Sequence, residues 1–151
     1  MGPVIARRTP TWLAWFRRPR EAVLVLQEDG VLLEGRDLIS WADLEAVGEF
    51  RTAYGAGLGI RLADPLQWFD EHPGPWRDAA SVASLGRMPR QVADILGVRE
   101  AGSEPPLDRA ARVQWARDQT GGWDLTIPDR AVEGGVAAAL ALIDEHRRRF
   151  A

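Results

Sequence analysis

The feature that most constrains this chain is a succession of short strand-like stretches from Ala22 to Leu62, separated by turn residues. Its pieces read AVLVLQ, EDG, VLLEG, RDLISW, ADLEAVGEFRT, YGAG and LGIRLAD. In the last, Leu58, Ile60 and Leu62 take one face and Gly59 and Arg61 the other, the two-residue period of a half-buried strand. In ADLEAVGEFRT the even positions Leu44, Ala46, Gly48 and Phe50 are expected to face inward. Asp29-Gly30 reads as a tight-turn pair, with glycine supplying the positive φ of a two-residue hairpin. Gly35 with Arg36-Asp37 marks the next turn, and Tyr54-Gly55-Ala56-Gly57 a flexible hairpin tip. Such a pattern predicts an antiparallel meander.

Downstream, residues 65–118 read as a helical insertion. Asp64 is placed to cap a helix whose first residue is Pro65. Pro73, Gly74 and Pro75 end it, and further helices are expected from about Trp76 to Leu85 and from Pro89 to Gly97. Leu107, Ala111 and Trp115 then share one helical face, until Thr120-Gly121-Gly122 breaks the pattern. A final strand follows, with Trp123, Leu125 and Ile127 inward and Asp124 and Thr126 outward. Pro128-Asp129 is expected to open a long helix striped by Val132, Val136, Leu140, Ile143 and Phe150. Arg147, Arg148 and Arg149 suit its negative C-terminus. Gly134-Gly135 falls inside that helix, where it would permit close approach to the sheet.

Composition removes several chemistries. The chain has no cysteine, which excludes disulfides, thiol catalysis and cysteine-bound metals. All 19 basic residues are arginine, so Schiff-base chemistry and a P-loop lysine are excluded as well. The first 20 residues carry five arginines and no acid, a local +5, so a net charge of −3 puts −8 on the remainder. An acidic body is a poor partner for nucleic acid. No run approaches the roughly 18 apolar residues of a membrane span, and the opening residues lack the apolar core and cleavage site of a secretory signal. A cytoplasmic protein is expected.

Candidate contact residues fall in three places. Residues 1–20 form a basic, aromatic arm in which Trp12, Trp15, Arg17 and Arg18 could anchor at an anionic membrane surface; the plainer reading is a short element that caps the core. Tyr54 stands at a turn tip, where a single tyrosine is also commonplace. Trp68, Phe69 and Trp76 could supply contacts from the insertion, or simply form its core. For an enzyme the inventory is thin. Asp70-Glu71-His72 is the only acid–histidine cluster in a plausible loop, and adjacent positions at a helix end point ligands in different directions. His146 is better explained by a helix C-terminus. Neither Ser40, Ser81 nor Ser84 lies in a G-x-S-x-G turn. No catalytic residue, metal or cofactor is expected.

Leu38-Ile39-Ser40-Trp41 after Gly35, Leu44-Glu45-Ala46-Val47, Gly59 to Pro65 and Gly122 to Ile127 resemble the strand motifs of an uncharacterised group of bacterial pleckstrin-homology-like (PH-like) proteins. The resemblance covers residues 22–65 and 121–150. It implies an α+β fold: a small antiparallel PH-like sandwich or open barrel, capped by a C-terminal amphipathic helix and carrying the insertion at 65–118. The arm, 1–20, would precede a single domain, 21–151. Members of the group often carry transmembrane helices near the N-terminus, and none is legible here. Lipid-binding PH domains hold inositol phosphates with basic residues around the first hairpin; Gln27-Glu28-Asp29-Gly30 would repel phosphate. By this analogy the expected function is a non-catalytic module that binds a protein or peptide, with strand addition as one route. The alternatives are a peripheral membrane module held by the arm and a metal-dependent hydrolase around Asp70 and His72.

Overall fold

A computed structural model describes residues 2–8, 21–33, 35–52, 55–72 and 108–151. Seven strands form two antiparallel sheets. The first runs in order through β1 (Val4–Arg8), β2 (Glu21–Leu26), β3 (Gly30–Leu33) and β4 (Asp37–Ser40); the second through β5 (Leu44–Thr52), β6 (Gly55–Leu62) and β7 (Leu125–Pro128). Three helices are described: α1 (Pro65–Glu71), α2 (Arg109–Thr120) and α3 (Val136–Phe150). The fold is α+β, with two sheets that do not close into a barrel.

The strand-like stretches from Ala22 to Leu62 form five strands, β2 to β6. Leu24, Leu26, Val31, Leu33, Ile39, Leu58, Ile60 and Leu62 are buried in one apolar core with Leu125 and Ile127 of β7. Residues 4–8, part of the basic arm by sequence, are a strand of the first sheet, because Ile5 and Ala6 have apolar side chains to bury there. Asp64 caps α1 by accepting from the Gln67 amide at 3.0 Å, and Asp108 caps α2 by accepting from Ala111 at 2.9 Å. Gly121, at φ 75°, closes α2 in the left-handed conformation.

Four local expectations are corrected. The first hairpin turns on Glu28-Asp29, since Gln27 and Gly30 bond each other across it. Gly30 is required instead by the neighbouring strand, because a Cβ there would stand 2.0 Å from the Ile39 carbonyl oxygen. Gly55 to Gly57 belong to β6, paired as far as Thr52 opposite Gly55. On α2 the buried face is Val113, Ala116 and Thr120, whereas Ala111 is exposed and Trp115 half-buried.

The C-terminal helix starts later than its apolar stripe suggests. A 3-10 turn at Asp129–Ala131 leads to Val132, which bridges to Ala6, and the Glu133 amide donates to the Ile5 carbonyl at 2.8 Å. Gly134 and Gly135, at φ 70° and 91°, then turn the chain, so they break the helix rather than thin it. Ala139 and Ile143 seat α3 on the core, with Val136, Leu140 and Phe150 packed around them. Among the described residues no helix is long and apolar enough to cross a membrane.

Candidate functional site: an open strand edge and an arginine-lined cleft

Two sheets have four edges, and each edge strand carries backbone groups that need partners. Beside β1, Val132 and Glu133 supply them. At β4 the Trp68 indole donates to the Leu38 carbonyl at 3.2 Å. Four-residue β7 ends in proline. By contrast, β5 is nine residues long, and among the described residues only its start is engaged, where Arg147 Nη2 donates to the Leu44 carbonyl at 2.9 Å.

Which groups β5 offers follows from its register. Pro128 lies opposite Gly57 and cannot donate, so that pair is a non-hydrogen-bonded one and Gly57 bonds towards β5 instead. Phe50 and Gly48, opposite Gly57 and Gly59, therefore turn their backbone groups to β6. Val47, Glu49 and Arg51 turn theirs to the open side. Arg51 and Glu49 form a 2.7 Å ion pair with side chains 79% and 46% exposed, which contributes little stability but charges the rim.

An extra residue, Glu45, bulges β5 between Leu44 and Ala46 and reverses the face of everything after it. Leu44 and Val47 face the core, while Ala46, Gly48 and Phe50 face outward with Gly57, Gly59 and Arg61. The expectation of even residues inward holds only for Leu44. On that outer face the Trp123 indole lies across two glycines: a Cβ on Gly48 would stand 2.6 Å from the ring, and one on Gly59 2.3 Å. Trp123 is thus outside the core, contrary to its parity with Leu125.

Asp124 takes the inward place. Its carboxylate is 1% exposed and accepts from Arg117 Nε at 2.7 Å, Arg117 Nη2 at 2.8 Å and the Leu62 amide at 2.8 Å. Arg117 Nη2 also donates to the Leu62 carbonyl at 3.1 Å, so one bidentate pair locks α2 to the end of β6. The hydrogen bonds to Asp124 raise the Arg117 guanidinium above its ordinary value; burial opposes the rise, and the charges of Asp124 and Glu45 add to it. Thr120 Oγ1 donates to the Ala116 carbonyl at 3.0 Å and accepts from the Trp123 amide at 3.0 Å, which fixes the turn between α2 and β7.

Arg61 lies over Trp123, its guanidinium carbon 5.6 Å from the ring centroid, and Nε donates to the Gly122 carbonyl at 2.7 Å. Arg61, Gln114, Arg117, Asp118, Gly121 and Gly122 line an open cleft of about 460 Å³. A second cleft of about 490 Å³ lies between Trp41 and Phe150, with Glu28, Asp29 and Arg147 at its rim. Trp41 itself is anchored by donating to the Glu28 carbonyl at 2.6 Å.

Of the contact residues expected from sequence, Trp12, Trp15, Arg17, Arg18, Tyr54 and Trp76 lie outside the described residues. For Trp68 and Phe69 the core reading holds rather than the contact one: at 2% and 1% exposed they are buried, since α1 lays them on the sheets and the Trp68 indole reaches the Leu38 carbonyl. Asp70 and His72 have separate partners. Asp70 pairs with Arg109 at 2.6 Å, and the His72 ring stacks on Trp68 with Nδ1 2.8 Å from that residue's carbonyl. No group of three or more histidine, aspartate or glutamate side chains is placed to hold a metal among the described residues. Sequence reading missed Arg61, Arg117 and Asp124 as a set, because their spacing carries no motif. The one legible signal was Gly121-Gly122 beside an aspartate.

No family model, curated protein or solved structure matches this chain.

Proposed function

We propose that this protein is a non-catalytic module that binds an extended protein or peptide segment by strand addition along β5. The observation that carries the reading is the edge accounting. The other three edges are covered or short, and β5 keeps Val47, Glu49 and Arg51 turned outward without a backbone partner among the described residues. The resemblance to PH-like domains, which implies an antiparallel sandwich or open barrel with a closing helix, supports the same reading. A backbone hydrogen bond contributes about 1 kcal/mol net. Three residues therefore give modest affinity, and selectivity falls to side chains beside the edge, such as Phe50 on one face and the Glu49–Arg51 pair on the other.

The test is selection of peptides from a random display library on the intact protein, followed by titration of the selected peptides into a Glu49→Pro variant. Glu49 lies opposite Leu58 in a non-hydrogen-bonded pair, so proline there removes an outward donor and leaves the β5–β6 ladder intact. Glu49→Ala is the control and should keep binding. Loss of affinity in the proline variant alone is expected. Selected peptides that bind both variants equally, or a library that yields none, would count against strand addition.

A further inference from the structure

A stacked arginine offers only its face to the ring beneath it; its N–H edge still needs acceptors. Arg61 has this form. Trp123 holds the face, the Gly122 carbonyl holds Nε, and Nη1 and Nη2 have no acceptor among the described residues. Gly122 is shaped to the arrangement: it sits at φ 103°, and a Cβ there would stand 2.3 Å from Arg61 Nη2. The guanidinium is therefore held in place before any ligand arrives, and it borders the 460 Å³ cleft. Across that cleft, Arg117 has committed Nε and Nη2 to Asp124 and Leu62, which leaves Nη1. Gln114 is held by donating to Asp118 at 2.9 Å.

We propose that this cleft is a carboxylate-recognition site, with Nη1 and Nη2 of Arg61 as its two-pronged donor and Gln114 and Arg117 beside it. It is distinct from the β5 edge and stands whether or not that edge pairs with a strand. A planar monoanion fits better than phosphate for two reasons. The guanidinium fork matches the two oxygens of a carboxylate. The charge balance is also small, because Asp124 neutralises Arg117 and Asp118 lines the cleft, so a dianion would meet a carboxylate at the wall.

Nitrogen-15 NMR of the intact protein tests this through the Arg61 Nε–H and Trp123 indole signals. The probes are N-acetylglycine, a pentapeptide with a free C-terminal carboxylate, the same peptide amidated, and inorganic phosphate. Saturable shifts are expected with both carboxylates, at a dissociation constant on the order of 1 mM for a single pair. The amidated peptide should give none. A free-acid peptide that binds more tightly than N-acetylglycine identifies peptide termini as the source; equal affinity identifies small acids. Arg61→Gln should abolish the Trp123 response. Asp118→Asn leaves the Arg61–Trp123 stack untouched and should tighten binding by about threefold, since it removes a nearby like charge. The proposal is overturned if carboxylates cause no saturable shift, if phosphate or the amidated peptide does as well, if the response survives Arg61→Gln, or if Asp118→Asn fails to tighten binding.

Discussion

Gly59 lies directly under the indole of Trp123, so close that a Cβ on the glycine would stand 2.3 Å from the ring carbon Cδ2. Gly48, paired with Gly59 across the β5–β6 ladder, supports the far end of the same ring. The outer face of the second sheet is thus a glycine shelf for one tryptophan, and that tryptophan in turn carries Arg61. Gly59→Ala should destabilise the fold by about 1–3 kcal/mol, through overpacking rather than lost burial. The cost should largely vanish in a Trp123→Ala background, a coupling that a double-mutant cycle by urea denaturation measures. Equal costs in both backgrounds would refute the shelf.

Removing Arg117 strands a buried carboxylate. Arg117→Ala should cost about 3–5 kcal/mol, because the buried Asp124 carboxylate loses its counter-ion and two of its hydrogen-bond donors. Arg117→Lys should recover only part of this, since an ammonium cannot bond both Asp124 oxygens and the Leu62 carbonyl from one plane. Because the folded-state value of Arg117 is raised, its contribution is complete below the unfolded value and fades only as pH climbs through the folded one, in strongly alkaline solution. Chemical denaturation from neutral to mildly alkaline pH should therefore show no titration from this group.

Thr120 tests the turn that feeds β7. Thr120→Val keeps the shape and deletes the oxygen that the Trp123 amide donates to. A loss of about 1–3 kcal/mol is expected, the cost of leaving a part-buried donor unmet. Hydrogen exchange at Trp123 should accelerate in the same variant, and an unchanged rate would mean the amide finds another acceptor.

Trp68 separates a core from a contact surface. Trp68→Ala should lower stability by about 3–5 kcal/mol, whereas Gln67→Ala, one residue away and exposed, should stay within about 0.5 kcal/mol. Thermal melts of the two variants decide it. A stable Trp68→Ala protein would return this side chain to the list of binding residues.

By itself the sequence determined the local pieces. Short apolar stretches cut by turn residues set five of the strands, Asp64 set a helix start, and Gly121 a helix end. These are short-range effects, in which a residue competes only with its neighbours' backbone and with water. Tertiary structure decided which face each piece shows. The apolar even residues of β5 looked like a core face, but the Glu45 bulge turned Ala46, Gly48 and Phe50 outward, since one extra residue inverts a period of two. Asp124 and Trp123 exchanged the places their parity implied, because a buried carboxylate needs Arg117 and an indole needs a flat glycine floor. The stripe of the last helix looked continuous through Val132, yet that residue pairs with Ala6, from the other end of the chain. The open edge of β5 and the donors of Arg61 belong to this second kind. Each depends on which partners the other described residues leave unmade, and no window of sequence contains them.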